Sequence, residues 1–385
     1  MQSLLVQERG LSYNQKKLFS VLLTCYLILK PFYIFNSGLP QFADAILMVM
    51  MFISMLKLER DTLRHNSFLS WGVVFLYYSV IVNVIWGILL GGKLGLAMNS
   101  IFYLFNLIVT IVFINVSLKL GKADFMKVLF YATGYSVLIQ CALIPFFLQK
   151  NGIRTTLMFN NPNQLGYFGI LSLAILLVTS PKLKLKPFFF FLSILASFAL
   201  ILISLSKAAI ISGLLTIFLF LIFKTHNADI RKTKKYLLVL IIVLVTLVSL
   251  NAKIIVQSQF AQDVVARMDS IGHDNDDNLE GRGYDRIYNY PYYVFLGAGE
   301  GLVGRFNAHK EMHSTIGNIL FSYGFVGLTL FAVFIYHAVS KLKFAMTYPL
   351  YTVLLFGLTH NGIRHTYLWL LLVLLFISKT NTEEE

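Results

Sequence analysis

Three stretches of this 385-residue chain carry side chains suited to anion or acid–base chemistry, and each borders a long apolar run. Residues 278–301, NLEGRGYDRIYNYPYYVFLGAGEG, set Arg282, Asp285 and Arg286 among tyrosines and glycines. A guanidinium forks onto phosphate oxygens and stays charged at any working pH, so this is a pattern for gripping an anion. Residues 308–327, AHKEMHSTIGNILFSYGFVG, hold His309 and His313, which would share a face if helical. An imidazole titrates near neutral pH, as a general base toward a hydroxyl must. The same pair also reads as a zinc site or as histidines packed at an interface, but HKEMH is not the H-E-x-x-H order and no third ligand is evident. Residues 154–169, RTTLMFNNPNQLGYFG, place Arg154, Asn160, Asn161 and Asn163 before another apolar run. Pro162 suits the first turn of a helix whose free N–H groups attract anions. An ordinary cap and turn explains Asn161 and Pro162; it does not explain Arg154, or Asn160 together with Asn163.

These residues have to be positioned by a chain that water cannot cover. Only 13% of it is charged, 34 residues are Phe, and the mean hydropathy is +0.72. Apolar runs of about 17–25 residues recur, the length that crosses a bilayer core. The runs are continuous rather than alternating, which excludes a β-barrel. The expectation is an all-α polytopic integral membrane protein. No small-residue cleavage site follows the first run, so it is expected to be a retained helix. Cys25 and Cys141 fall within expected spans and offer neither a disulfide framework nor a metal quartet. The formal charge of +14 would fit a nucleic-acid partner, but in a membrane chain cations mainly set orientation, so none is expected.

About twelve spans are expected, at 18–36, 41–56, 67–90, 94–118, 125–148, 164–180, 187–205, 208–223, 236–251, 314–340, 344–361 and 366–378. Connections on the side of the amino terminus carry 20 Lys and Arg, against 5 in the short connections of the other side. By the positive-inside rule both termini are cytoplasmic. The chain then divides into nine spans over 1–251, an extracytoplasmic loop over 252–313, and three spans plus a cytoplasmic tail over 314–385. The loop carries nine of the 18 acids, so it is the hydrophilic part of the molecule and the natural place for function. DSIGHDNDDNLEG (269–281) reads as mobile, and YNYPYYVFLGAGEG (288–301) as aromatic enough to pack on the membrane surface. No internal repeat is present, which weighs against an inverted-repeat transporter.

The remaining cations share the outer side. Arg154, Lys207, Arg282, Arg286, Arg305 and Arg364 all fall in outward connections or at outward helix ends. Lys207, in SLSKAAIIS, lies between two apolar helices, where a cation needs a partner or a wet cavity. Lys207 and Arg364 could each simply snorkel to head groups. As a group these residues run against the positive-inside rule, and they suit a phosphate or diphosphate at the lipid surface. Two other motifs carry no chemistry. Gly299-x-Gly301-x-x-Gly304 spells G-x-G-x-x-G without a strand–turn–helix unit around it. Asp274, Asp276 and Asn278 imitate a calcium loop, but Leu279 replaces its turn glycine and Asp285 its final Glu.

In order along the chain, NPNQLG, SLSKAAIIS, EGRGYDRIY, YVFLGAGEG and a histidine before an apolar helix that runs into SYGFVGL resemble the O-antigen ligase and polymerase superfamily. The resemblance covers about residues 154–330. It implies a GT-C-like membrane glycosyltransferase of the Wzy type in the bacterial inner membrane. Such an enzyme joins undecaprenyl-diphosphate-linked oligosaccharide repeat units into O-antigen, capsule or exopolysaccharide, without metal or cofactor and with inversion. Arg282, with Arg286, matches the arginine that holds the diphosphate, and His313 matches the histidine that activates the acceptor hydroxyl. The family often shows His-Asn where this chain has His313-Ser314, with Asn318 further on, so His309 stays a rival base. Lys207, Arg154, Asn161, Asn163 and Arg364 would complete substrate binding, and a chain-length regulator is an implied partner. A ligase passing the glycan to a lipid or protein acceptor, and a lipid-linked oligosaccharide flippase or other transporter, are the alternatives. The topology is checked by labelling. Ser270→Cys in a background lacking Cys25 and Cys141 should react with an impermeant maleimide added outside the cell, and reaction only from the cytosol would invert the arrangement.

Overall fold

A computed structural model describes residues 13–35, 40–56, 66–93, 95–151, 155–250, 279–307 and 310–379, with residues 262, 265 and 269. Among the described residues the helices before the loop are α1 (Tyr13–Leu29), α2 (Phe42–Met55), α3 (Ser67–Leu89), α4 (Gly95–Leu120), α5 (Lys122–Asn151), α6 (Pro162–Thr179), α7 (Pro187–Ile203), α8 (Lys207–Ile222) and α9 (Ala228–Leu250). The loop holds two short helices, α10 (Asp285–Asn289) and α11 (Tyr293–Leu296). It is followed by α12 (Thr315–Val339), α13 (Phe344–Gly357) and α14 (Thr366–Ser378). Among the described residues five segments are long and apolar enough to cross a membrane: Ser67–Leu89, Met98–Leu120, Lys122–Phe147, Pro162–Thr179 and Thr315–Val339. Shorter apolar helices of 10–17 residues accompany them, and no strand occurs among the described residues. The chain is a helical membrane protein of several spans.

Helix ends fall where the local chemistry puts them. Asn66, Asn161 and Ser314 cap α3, α6 and α12, their side-chain oxygens accepting from the N–H groups of Leu69, Gln164 and Gly317. Three ends depart from expectation. The first helix covers 13–29 rather than 18–36, because Pro31 cannot continue it. The ninth begins at Ala228 rather than 236, since the charged turn DIRKTKK is itself helix-forming. The eleventh stops at Gly357 rather than 361, which frees residues 358–365 as a connection that matters below.

Helices α6 and α14 form the centre. Nearly every side chain from Leu165 to Thr179 and from Thr366 to Ser378 is buried, as expected for helices apolar all round. Helix α6 packs against α5, α7, α8, α13 and α14, while α12 packs on α3 and α14 on α4. Apolar residues such as Tyr77, Ile81 and Ile88 on α3 point outward, exposed.

The alternate connections gather at opposite ends. At the loop end, the Tyr33 N–H donates to the Met158 carbonyl (2.9 Å), Thr155 N–H to Ile203 (3.4 Å) and Thr315 N–H to His360 (3.2 Å). At the other end, Lys119 Nζ reaches the Ser54 carbonyl (3.0 Å), and Asn227 Nδ2 reaches Leu183 (3.3 Å). The connections that carry the candidate site residues therefore meet at one end of the bundle.

Helix α12 is broken at Gly324, whose φ of 67° and ψ of −172° lie in a region open to glycine alone. The break frees carbonyls of the preceding turn, and the loop fills them. Ala298 N–H donates to Phe321 O (2.9 Å) and Gly299 N–H to Ser322 O (2.8 Å). Non-helical backbone is tolerated at such depth when protein groups satisfy it in this way. The approach is close enough to need glycine on both sides. A Cβ on Gly324 would stand 2.2 Å from the Phe295 carbonyl oxygen, and one on Gly297 would stand 2.4 Å from that of Ser322. Gly324→Ala should cost about 2–4 kcal/mol through strain and overlap, read as a lower unfolding midpoint in lipid nanodiscs. Gly304→Ala, where an added methyl meets nothing, should leave the midpoint unchanged.

Candidate functional site

The glycine run GAGEG re-enters the bundle as irregular backbone, and side chains take up the carbonyls of residues 296–300. Tyr78 Oη donates to Leu296 O (3.1 Å), Trp86 Nε1 to Gly297 O (2.9 Å) and Asn99 Nδ2 to Glu300 O (2.7 Å). Arg305 Nη2 donates to Ala298 O and Gly299 O, and its guanidinium lies against the rings of Trp86 (5.5 Å) and Phe306 (4.5 Å). The sequence grouped Arg305 with the anion-binding cations; the structure uses it to hold the loop.

Glu300 ends the run with a carboxylate that is only 3% exposed. A buried charge on this scale persists only if its lone pairs are met. Oε1 accepts from Asn318 Nδ2 (3.1 Å) and Arg364 Nη2 (2.9 Å). Oε2 accepts from the hydroxyls of Tyr103 (2.9 Å) and Tyr323 (2.8 Å). The Glu300 N–H donates to Asn83 Oδ1 (2.8 Å). One side chain thus ties α3, α4, α12 and the 358–365 connection to the loop.

Arg364 faces outward from this knot. Its guanidinium lies 4.6 Å from the Phe102 ring centroid, and Nη1 pairs with the half-exposed Glu311 at 3.2 Å. Burial works against its charge, but the carboxylates of Glu300 and Glu311 outweigh that and raise its pKa above the ordinary arginine value.

Arg282 and His313 are direct neighbours, since the His313 N–H donates to the Arg282 carbonyl (3.0 Å). Arg282 Nη1 donates to the Thr359 carbonyl. The next residue, His360, stacks on Phe356 and shares a 3.0 Å hydrogen bond between its Nδ1 and Thr359 Oγ1. Tyr284 Oη lies 2.7 Å from Ser314 Oγ and 2.5 Å from the Leu358 carbonyl, which pins the arginine-bearing turn to the helix the histidine precedes. The His313 side chain is exposed. Another imidazole at this end, His365, caps α14 through Nδ1 and has a buried Nε2 with no acceptor among the described residues. Burial, aided by the charge of Lys30, pushes His365 down to about 3, too weak a base for proton abstraction at neutral pH.

The other expected site residues divide. Arg364 and Asn318 meet on Glu300. Arg286 is 5% exposed and donates through Nη2 to the Lys310 carbonyl; burial lowers its pKa against the pull of Asp285 and Glu311. Its Nε has no acceptor among the described residues, and Arg286 borders a small cleft with Glu300, Glu311 and Asn318. Asn161 is an exposed N-cap, the ordinary reading, with Asn163 half-buried in the next turn. Lys207 opens α8 after Leu205, which holds a left-handed φ of 47°. Its turn packs on α6, where a Cβ on Gly166 would meet Ser204 Oγ at 2.7 Å. Arg154 and His309 lie outside the described residues, as do Ser270 and the acidic stretch 271–278. Among the described residues no group of three or more His, Cys, Asp or Glu is placed to hold a metal ion. Lys30 and Asp44 pair at 2.7 Å in the interior.

Sequence reasoning missed Glu300, Tyr103, Tyr323 and Asn83, and passed over Glu311. A signal existed for the first, an acid set in glycines just ahead of an apolar helix. Asn83 and Asn99, polar inside apolar runs, signalled the partners.

The fold and site define a helical membrane protein whose loop re-enters the bundle and presents arginine and histidine at one end. The chain matches no protein-family model, and no curated protein proves similar to it. Glu300→Leu should destabilise the protein by about 3 kcal/mol, the lower end for breaking a buried pair because Arg364 is partly exposed. Thermal unfolding in nanodiscs measures it, and a midpoint equal to wild type would contradict the role given to Glu300.

Proposed function

We propose that the protein is a membrane glycosyltransferase that polymerises undecaprenyl-diphosphate-linked oligosaccharide repeat units on the outer side of the bacterial inner membrane. In this reading about twelve helices cross the bilayer in a GT-C-like arrangement. Both termini lie in the cytoplasm and the end bearing the loop faces outward. The observation that carries the reading is the adjacency of Arg282 and His313, joined backbone to backbone, at the end where Arg364 also emerges.

The chemistry then follows from charge. Arg282 and Arg364 bind the diphosphate of the donor and stabilise the negative charge that grows on it as the anomeric C–O bond breaks. His313 takes the proton from the acceptor sugar hydroxyl, whose oxygen forms the new bond to the anomeric carbon from the opposite face. The configuration inverts, and lipid diphosphate leaves with the electron pair of the broken bond. The arginines supply the positive charge, so no metal ion is required. Exposed tyrosines such as Tyr288 and Tyr292 lie where sugar rings or head groups could stack. The internal Lys30–Asp44 pair is mutually neutralised, which favours this reading over an ion-coupled transporter.

Deletion of the gene followed by glycan gel analysis tests the class of reaction. Single-repeat products are expected, intact polymer retained on the lipid carrier would indicate a ligase instead, and unaltered glycan would overturn both. With purified protein and lipid-linked repeat units, Arg282→Ala should lower elongation by about 10²–10³-fold. His313→Ala should lower turnover by about 10²–10⁴-fold while donor binding stays near wild type. Normal elongation by Arg282→Ala would remove the proposed site.

A further inference from the structure

The two sides of Arg364 are held very differently. Nη2 binds Glu300, a carboxylate 3% exposed and met by Asn318 and two tyrosine hydroxyls. Nη1 binds Glu311 Oε2 at 3.2 Å and Nη2 also reaches its Oε1 at 3.3 Å, but the Glu311 side chain is 48% exposed. The inner pair is costly to break, because separation would strand a buried charge. The outer pair uses both Nη atoms but at longer distances, and its half-exposed carboxylate is screened by water, so it is the weaker of the two. The ring face of Phe102 supports the guanidinium from a third direction. Arg364 is therefore fixed in place by Glu300 through Nη2, while its outer edge, Nη1 together with a longer contact from Nη2, is closed by a half-exposed, exchangeable carboxylate.

We propose that Glu311 is a displaceable gate. Its carboxylate occupies the anion position on Arg364 in the empty protein and swings out when the diphosphate of the lipid-linked donor arrives. A phosphoryl oxygen makes the same bond to Nη1 with more charge, and Glu311 is near enough to solvent to be rehydrated as it leaves. The backbone beside it does not have to move, because the Lys310 carbonyl is anchored by Arg286 and the His313 N–H by Arg282. Glu311 thus sets anion affinity, and it admits a ligand able to outbid a carboxylate. The identity of the physiological ligand rests on the function proposed above; the anion position itself rests on the geometry.

Binding of inorganic pyrophosphate to the full-length protein in phosphatidylcholine nanodiscs tests the gate by calorimetry. Glu311→Gln removes the competing charge and should tighten binding by about two- to fivefold, the worth of an exposed ion pair. Arg364→Gln should weaken binding, and in that background Glu311→Gln should have no further effect. The same substitution should lower the KM for lipid-linked donor with kcat little changed. Unaltered or weaker pyrophosphate binding by Glu311→Gln would overturn the gate. So would an equal gain in the Arg364→Gln background. If Glu311→Gln tightens pyrophosphate binding but wild type fails to elongate lipid-linked repeat units, the anion gate stands and the polymerase reading falls.

Discussion

The arrangement depends on one buried carboxylate. Glu300 would be too expensive to bury were its oxygens not met by two tyrosine hydroxyls, an amide and a guanidinium. Those donors come from α4, α12 and the 358–365 connection, and the Glu300 N–H engages α3. Satisfying one charge therefore fixes how four parts of the chain meet. It also explains the glycines, since the acid arrives on a backbone that must touch the broken turn of α12 and leave it no room for a Cβ. Each carbonyl from Leu296 to Glu300 finds a donor in a side chain, so this stretch stays irregular with its carbonyls satisfied.

This constraint delivers the residues that carry chemistry. Once the run is seated, the turn before it lies against Leu358 and Thr359, which sets Arg282 beside His313. The same carboxylate holds Arg364 with its outer edge turned to solvent. The cations at this end thus serve two ends. Arg305 and much of Arg286 are spent on backbone carbonyls, while Arg282 and Arg364 sit nearer the surface with His313 between the elements that hold them. A site built from one loop end and one interhelical connection requires both to be rigid, and the Tyr284, Ser314 and Thr315 hydrogen bonds supply that rigidity.

The helices were legible because an apolar run of bilayer length leaves few alternatives, and among the larger deviations of their ends are those at Pro31, at the charged turn of α9 and at Gly357, where local chemistry overrode hydrophobicity. Arg282 and His313 were legible because cations and imidazoles stand out in an apolar chain. Glu300 was not, since a single acid in a glycine-rich loop reads as solvated surface until the partners that bury it are known, and those lie between 18 and more than 200 positions away. The G-x-G-x-x-G spelling lies outside any strand–turn–helix unit among the described residues, and its first two glycines flank the buried carboxylate of Glu300. Arg305 shows the converse error, since sequence cannot tell a guanidinium that greets a ligand from one that caps a carbonyl.

Hydrogen exchange of the protein in nanodiscs, followed by mass spectrometry over residues 297–301, tests the central claim most directly. The account requires the amides of Ala298, Gly299 and Glu300 to exchange as slowly as those of the neighbouring helices, because each is bonded inside the bundle to Phe321, Ser322 or Asn83. Exchange at the rate of an open loop would mean that the glycine run does not re-enter, and that the carboxylate at its end organises nothing.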